Sequence, residues 1–120
     1  MKVRFFELAK KISFKSPSRY KLGSVIVNKN KVVSVGFNNM AKSHPKMPGT
    51  YKFLHAEVHS LLGCNYNETK GSTLYVYRET LNGDLAQARP CSNCYQAILA
   101  SGIHEICYTT PEGYKKEVVK

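Results

Sequence analysis

Four side chains in two short stretches of this sequence have the types and spacing of a reactive metal site. His55 and Glu57 lie two residues apart in the first stretch, and Cys91 and Cys94 lie three apart in the second. One imidazole and two thiolates are ligands that Zn²⁺ prefers, and three protein ligands leave a tetrahedral ion one position for water. Glu57 is not needed as a ligand, so its carboxylate can take a proton from that water and pass it on. The spacing therefore predicts a zinc site on His55, Cys91 and Cys94, with Glu57 as the catalytic residue.

Two other chemistries would use part of this set. His59 lies one helical turn after His55 and could complete a closed Cys2His2 site, which would make the chain a non-catalytic binding module stabilised by zinc. Cys91 and Cys94 at a helix start could instead be a redox dithiol. The closed site leaves Glu57 without a role, and the dithiol leaves the histidine stretch unexplained. We therefore favour the reactive site.

The two stretches also resemble the signature of a known family. His55-Ala56-Glu57 and Pro90-Cys91-Ser92-Asn93-Cys94 match the pattern H-x-E followed by P-C-x-x-C, which is typical of zinc-dependent nucleobase deaminases. The chain is similar to the cytidine and deoxycytidylate deaminase superfamily from about Phe5 to Thr109. Four further segments carry the likeness: Leu22–Val27, Gly36–Asn39, Thr73–Val76 and Ser101–Ile103.

The resemblance implies hydrolytic deamination of a cytosine base to uracil on a Zn²⁺ ion. Glu57 would carry a proton from the attacking water to N3 of the ring, and a second transfer would release ammonia. Ala56 and Asn38 are the implied substrate-binding residues, and Asn38 occupies the place of an asparagine that contacts the sugar. From the residues alone, Asn38 is better explained as a turn residue that satisfies local backbone groups.

The substrate is less constrained than the reaction. The likeness is greatest to deoxycytidylate deaminases, so we expect a (deoxy)cytidine nucleotide such as dCMP. Eighteen basic and eight acidic residues give a formal net charge of +10, which favours an anionic partner. That partner is either a nucleotide phosphate or a single-stranded polynucleotide, whose cytosine or adenine bases the same groups could attack. The resemblance also implies a possible homo-oligomer.

The elements that must position these residues form an α/β domain, which we expect to be a single deaminase domain over residues 1–120. An apolar stripe predicts a first surface helix, and it consists of Phe5, Leu8, Ala9 and Ile12. The other predicted elements are a hairpin of Leu22–Asn28 and Val32–Phe37, a helix His55–Leu62, a strand Thr73–Tyr77, a helix that begins at Pro90 and ends at Gly102, and a strand Ile103–Thr109. Strand, helix and strand in this order predict a parallel, right-handed crossover. The resemblance implies a three-layer α-β-α cytidine-deaminase-like fold, with a mixed sheet of four to five strands.

Three segments have no predicted element. The segment Asn38–Leu54 is long for a compact domain and precedes His55, which predicts a rim of the substrate site. The connection Arg78–Arg89 is longer than is usual in the family and would alter the pocket wall. The basic tail Pro111–Lys120 has no assignment. Three aromatic residues near these parts are candidates for base stacking, namely Tyr51, Phe53 and Tyr77.

The sequence also predicts a cytoplasmic protein. Its first residues are too charged to be a signal peptide, and no apolar run approaches the roughly 18 residues of a membrane span. In that compartment the four cysteines indicate thiolate chemistry more than disulfide bonds.

Overall fold

The computed structural model describes residues 2–16, 21–38, 61 and 64–119, which form a five-stranded mixed sheet with helices on both faces. In chain order the elements are α1 (Val3–Ser13), β1 (Leu22–Asn28), β2 (Lys31–Phe37), α2 (Tyr66–Thr69), β3 (Thr73–Arg78), α3 (Ser92–Ala100), β4 (Glu105–Thr110) and β5 (Gly113–Val118). The strand order is β2-β1-β3-β4-β5, and β3 and β4 are the parallel pair. The predicted hairpin and the parallel pairing across the crossover are therefore confirmed, and the right hand of the crossover stays a prediction. Apart from Leu61, the predicted helix His55–Leu62 lies outside the described residues.

The alternation of side chains along the central strands builds one apolar layer on each face of the sheet. One layer lies under α1 and contains Phe5, Phe6, Ala9, Val25, Val27, Tyr75, Tyr77 and Cys107. The other lies under α3 and contains Ile26, Leu74, Val76, Ala88, Ile98, Ile103, Ile106 and Tyr108. Strands covered on both faces need apolar residues at successive positions, which explains the buried run Val25–Val27 in β1. The predicted three-layer α-β-α fold is confirmed.

Helix α1 packs unusually closely on β1. A Cβ atom on Gly23 would lie 2.0 Å from the carbonyl oxygen of Ala9 and 2.6 Å from the amide nitrogen of Ser13, so only glycine fits there. The fully buried Phe6 stacks on Tyr114 of β5, with ring centroids 4.1 Å apart. The sequence stripe omitted Phe6, because the sequence did not show that β5 would cover a second side of the helix.

The connection between β3 and α3 is a folded turn. Its tip is closed by two backbone hydrogen bonds, from the Thr80 amide to the Asp84 carbonyl at 2.7 Å and from the Gly83 amide to the Thr80 carbonyl at 3.0 Å. Glu79 and Leu85 form an antiparallel bridge below the tip. The segment that was predicted to alter the pocket wall thus extends β3 as a small hairpin.

The carboxyl-terminal tail forms strand β5, which the sequence analysis left unassigned. It pairs antiparallel with β4 from the turn at Thr110 and Gly113 onward. Its lysines, Lys115 and Lys116, are exposed, as is usual for a strand at the edge of a sheet. Among the described residues, no helix has the length and apolar character needed to cross a membrane.

Candidate metal centre

The two predicted cysteine ligands lie at the end of the sheet where the parallel strands β3 and β4 finish. Helix α3 begins after β3 and returns the chain to the start of β4, as a hydrogen bond of 2.9 Å from the Gly71 amide to the Gly102 carbonyl shows. At the opposite end, the Ala88 amide donates to the Thr109 carbonyl at 2.9 Å and ties the segment before α3 to the carboxyl end of β4. In open α/β sheets, ligands bind outside the carboxyl ends of the strands.

Cys91 and Cys94 occupy the first turn of α3. Cys91 is the N-cap residue, and its carbonyl accepts the first helical hydrogen bond, from the Tyr95 amide at 2.8 Å. Pro90 was predicted to start the helix, but it lies outside the helix and is buried. Cys91 and Cys94 are three residues apart at the start of the helix, a spacing at which two thiols can bind one ion. The amino terminus of a helix favours negative charge, so this position suits thiolates.

The two thiols are suited to fill two of the four ligand positions of a zinc ion. Both side chains are reduced thiols, Cys91 exposed and Cys94 fully buried, so the pair reaches from the protein interior to its surface. Two thiolates at i and i+3 are soft ligands of the kind zinc takes. Within residues 2–16, 21–38, 61 and 64–119, no three His, Cys, Asp or Glu side chains converge on a metal position. The predicted partners His55, Ala56 and Glu57, and the alternative ligand His59, lie outside those ranges.

Asn38 lies at this same end of the sheet, where it links the two open ends of the β1–β2 hairpin. Its Oδ1 accepts a hydrogen bond from the Leu22 amide at 2.8 Å, and its carbonyl accepts one from Ser16 Oγ at 2.6 Å. The residue is buried. These contacts are those of the structural alternative, in which Asn38 satisfies local backbone groups. Its substrate contact stays a prediction.

Residues 1–110 match the family model described as the cytidine and deoxycytidylate deaminase zinc-binding region. The chain belongs to this family. Membership confirms the predicted superfamily. At the level of the family it also supports zinc.

The curated relatives named deoxycytidylate deaminase include a phage protein and a mouse protein. The protein of Mycobacterium phage D29 is 30% identical over 110 residues, which cover 75% of this chain and 78% of the relative. The mouse protein is 26% identical over 117 residues, which cover 86% of this chain and 60% of the relative. The deaminase-family chain described here therefore spans only about 60% of the length of its mouse relative.

Two solved structures share the fold of this deaminase-family chain. Cytidine deaminase from Burkholderia pseudomallei superposes with a TM-score of 0.72 at 21% identity, covering 99% of this chain and 93% of that one. The dCMP deaminase of cyanophage S-TIM5 in its apo form superposes with a TM-score of 0.65 at 22% identity, covering 90% and 84%. At these identities the likeness shows the fold alone.

The segment that leads into the cysteines is held by residues that the sequence analysis did not select. Arg89 Nε donates to Glu117 Oε1 at 2.9 Å, and Arg89 Nη2 donates to Glu117 Oε2 at 3.3 Å. The ion pair lowers the pKa of the Glu117 carboxyl, mainly through the hydrogen bond from Arg89. Gly113–Val118 does not alternate between apolar and polar residues, so no strand signal in the sequence pointed to β5 or to Glu117.

Tyr77 is not available for base stacking. It is 4% exposed in the layer under α1, and its hydroxyl donates to Glu79 Oε2 at 2.9 Å. The cysteine helix lies on the other face of the sheet, so this candidate from the sequence is wrong. The other two, Tyr51 and Phe53, lie outside the described residues.

Proposed function

We propose that this chain is a zinc-dependent hydrolytic deaminase that converts a cytosine base to uracil, acting on a (deoxy)cytidine nucleotide such as dCMP. The observation that carries the proposal is the pair Cys91 and Cys94 on the first turn of α3, at the carboxyl end of β3 and β4. The phage and mouse relatives, whose names specify deoxycytidylate, support the nucleotide substrate. We also propose that residues 1–120 form one domain.

His55, Cys91 and Cys94 are the proposed ligands of the ion. When bound, zinc supplies the activation of a water molecule for attack on a ring carbon. Glu57 accepts a proton from the water and delivers it to N3 of the base, and a second transfer protonates the amino group. The C4–N bond then breaks, ammonia leaves and the oxygen of the water becomes the carbonyl of uracil. Ala56 and Asn38 are the proposed substrate contacts.

Glu57→Ala tests the reaction. The experiment measures ammonia release from cytidine, deoxycytidine, their mono- and triphosphates, the adenosine counterparts and single-stranded oligonucleotides. We expect the wild type to turn over dCMP, and we expect Glu57→Ala to lose at least about 10²-fold in rate, because it lacks the proton carrier. Its zinc content should be unchanged, since a carboxylate outside the ligand set does not hold the ion.

Two outcomes would contradict the proposal. A zinc-loaded Glu57→Ala protein with full activity would remove the proposed proton carrier. A wild type without turnover on any base, combined with loss of zinc in His59→Ala, would favour the closed Cys2His2 module.

A polynucleotide deaminase is the second candidate, because the net charge of +10 suits a polyanion. Salt dependence separates the two. Binding of an oligonucleotide releases counterions, so its affinity should fall steeply with salt, with a slope of about −0.7 for each phosphate that the protein neutralises. One mononucleotide should show a shallow dependence. We expect the shallow dependence, and a steep one together with faster turnover of oligonucleotides would reverse the order of the candidates.

The proposal also includes a homo-oligomer and a cytoplasmic location, both of which follow from the family resemblance and the sequence. Light scattering on the purified, zinc-loaded chain measures its mass in solution. A mass of a single chain across the concentrations used in the assay would remove the oligomer from the proposal.

A further inference from the structure

The residue just before the cysteine motif is anchored to the last strand of the sheet. Arg89 precedes Pro90 and Cys91, and its guanidinium forms a two-pronged ion pair with Glu117 on β5, at 2.9 and 3.3 Å. A two-pronged arginine–carboxylate pair fixes orientation as well as distance, because both groups are planar. Glu117 is 28 residues away along the chain, so this contact ties the start of α3 to a strand that comes later in the sequence.

Two aromatic residues complete the contact. The hydroxyl of Tyr108 on β4 donates to Glu117 Oε1, so the carboxylate is held from the sheet as well as by Arg89. The guanidinium carbon of Arg89 lies 5.6 Å from the ring centroid of Tyr95, one residue after Cys94. That distance is within the range of a cation–π contact. Arg89 therefore touches both the strand and the helix, and the two cysteines lie between its own position and that of Tyr95.

The exposure of the pair indicates what it contributes. The side chains of Arg89 and Glu117 are 48% and 33% exposed, and ion pairs this accessible to water add little to the free energy of unfolding. The core under α3 is built from apolar contacts, and one of its members, Tyr108, also hydrogen-bonds to Glu117. What the pair does fix is the direction in which residues 89–91 enter the helix. An effect on the geometry of the thiols should therefore exceed any effect on global stability.

We infer that Glu117 is a positioning residue for the metal centre, which holds the Cys91–Cys94 turn in place through Arg89. This inference rests on the proposed zinc site. When residues that contact metal ligands and fix their orientation are removed, metal affinity commonly falls by about 10- to 100-fold. Glu117 would act on the ligands by way of the backbone between Arg89 and Cys91.

The test compares Glu117→Gln with Glu112→Gln in the full chain. Glu112 is an exposed carboxylate in the β4–β5 turn, so its variant is a control of the same chemistry on the same hairpin. Zinc affinity is measured by competition with a chromogenic chelator, and the ligand field is read from the visible spectrum after loading with Co²⁺. We expect Glu117→Gln to weaken zinc binding by about 10-fold and to alter the cobalt spectrum. Its apo melting temperature should change by less than about 5 °C, and Glu112→Gln should match the wild type.

Arg89→Lys separates orientation from charge. Lysine keeps the positive charge but cannot form the two-pronged pair, so we expect a loss of zinc affinity close to that of Glu117→Gln. Wild-type affinity and spectrum in Glu117→Gln, with or without a fall in melting temperature, would overturn the inference while leaving the zinc site intact. A wild type that binds no zinc would overturn both the inference and the proposed function. A wild type that binds zinc but deaminates no base, together with weakened zinc binding in Glu117→Gln, would overturn only the proposed reaction.

Discussion

At the scale of the residue, Asn38 has two roles that a pair of variants can separate. Its Oδ1 accepts the Leu22 amide at 2.8 Å, and the resemblance assigns the same side chain to the substrate. Asn28 is a matched control at the other end of β1, where its Nδ2 donates to the Glu68 carbonyl at 2.9 Å. Each side chain makes a structural hydrogen bond to backbone, but only Asn38 lies at the end of the sheet that holds the cysteines.

We expect Asn38→Ala and Asn28→Ala each to lower the free energy of unfolding by about 1–2 kcal/mol, because each removes one partner of a hydrogen bond. Only Asn38→Ala should also raise the KM for dCMP. Urea denaturation gives the first quantity, and steady-state kinetics at a temperature where both variants are folded gives the second. Equal KM values in the two variants would leave Asn38 with its structural role alone.

At the scale of the element, the β3–α3 connection depends on one buried hydroxyl. Thr109 on β4 is fully buried, and its Oγ1 donates to the Ala86 carbonyl at 2.8 Å and accepts the Arg78 amide at 3.1 Å. These two bonds pin both ends of the turn to the carboxyl end of β4. The turn leads directly into the cysteine helix, so its order bears on the site.

Replacing this hydroxyl with a methyl group tests that dependence. We expect Thr109→Val to cost about 1–3 kcal/mol, because the volume is kept while a buried carbonyl loses its donor. Amide hydrogen exchange should accelerate at Ala86 and Ala88 more than in β1. Thr110→Val is the control, since the Thr110 hydroxyl donates to the Gly113 carbonyl in the β4–β5 turn at 3.0 Å. Equal acceleration at Ala86 in both variants would show that the turn does not depend on Thr109.

At the scale of the whole molecule, the apolar pattern was sufficient to predict the central strands and the crossover. Valine-rich runs and the Pro90 and Gly102 boundaries reflect local preferences that tertiary contacts reinforced, and Gly102 does end α3 with a φ of 79°. Strand β5 was not predictable in the same way. Its lysines suit an exposed edge, and what holds it is hairpin pairing with β4 together with the stacking of Tyr114 on Phe6, a contact between residues far apart in the chain.

The candidate site likewise contains residues that the sequence could predict and residues that it could not. Residue types and spacing were enough to select Cys91 and Cys94, because zinc chemistry limits the possible ligands. Glu117 could not be selected, since its partner Arg89 is 28 positions away and the contact exists only once β5 has joined the sheet. For Asn38, residue chemistry alone was enough to predict a structural role, and its Oδ1 does accept a local backbone amide, that of Leu22.

The two-sided burial of the sheet also predicts how stability depends on pH. Burial raises the pKa of the Cys107 thiol from 9.0 to about 11, and it raises the pKa values of Tyr75, Tyr77 and Tyr108. Each of these groups is neutral when protonated and negatively charged when deprotonated. Burial disfavours the charged form, so the folded state holds the proton more tightly than the unfolded chain does. The resulting stabilisation is complete below the unfolded pKa and is lost as pH rises through the folded pKa.

We therefore expect the free energy of unfolding to fall between pH 9 and pH 11, with Cys107 contributing at most about 3 kcal/mol over that interval. Chemical denaturation at a series of pH values in this window measures the slope. Cys107→Ala removes the titrating thiol from the layer under α1, so its slope should be shallower than that of the wild type, while the tyrosines maintain a residual decline. Parallel slopes for the two proteins would mean that Cys107 titrates alike in the folded and unfolded chains, because only a difference in proton binding between those two states can make stability depend on pH.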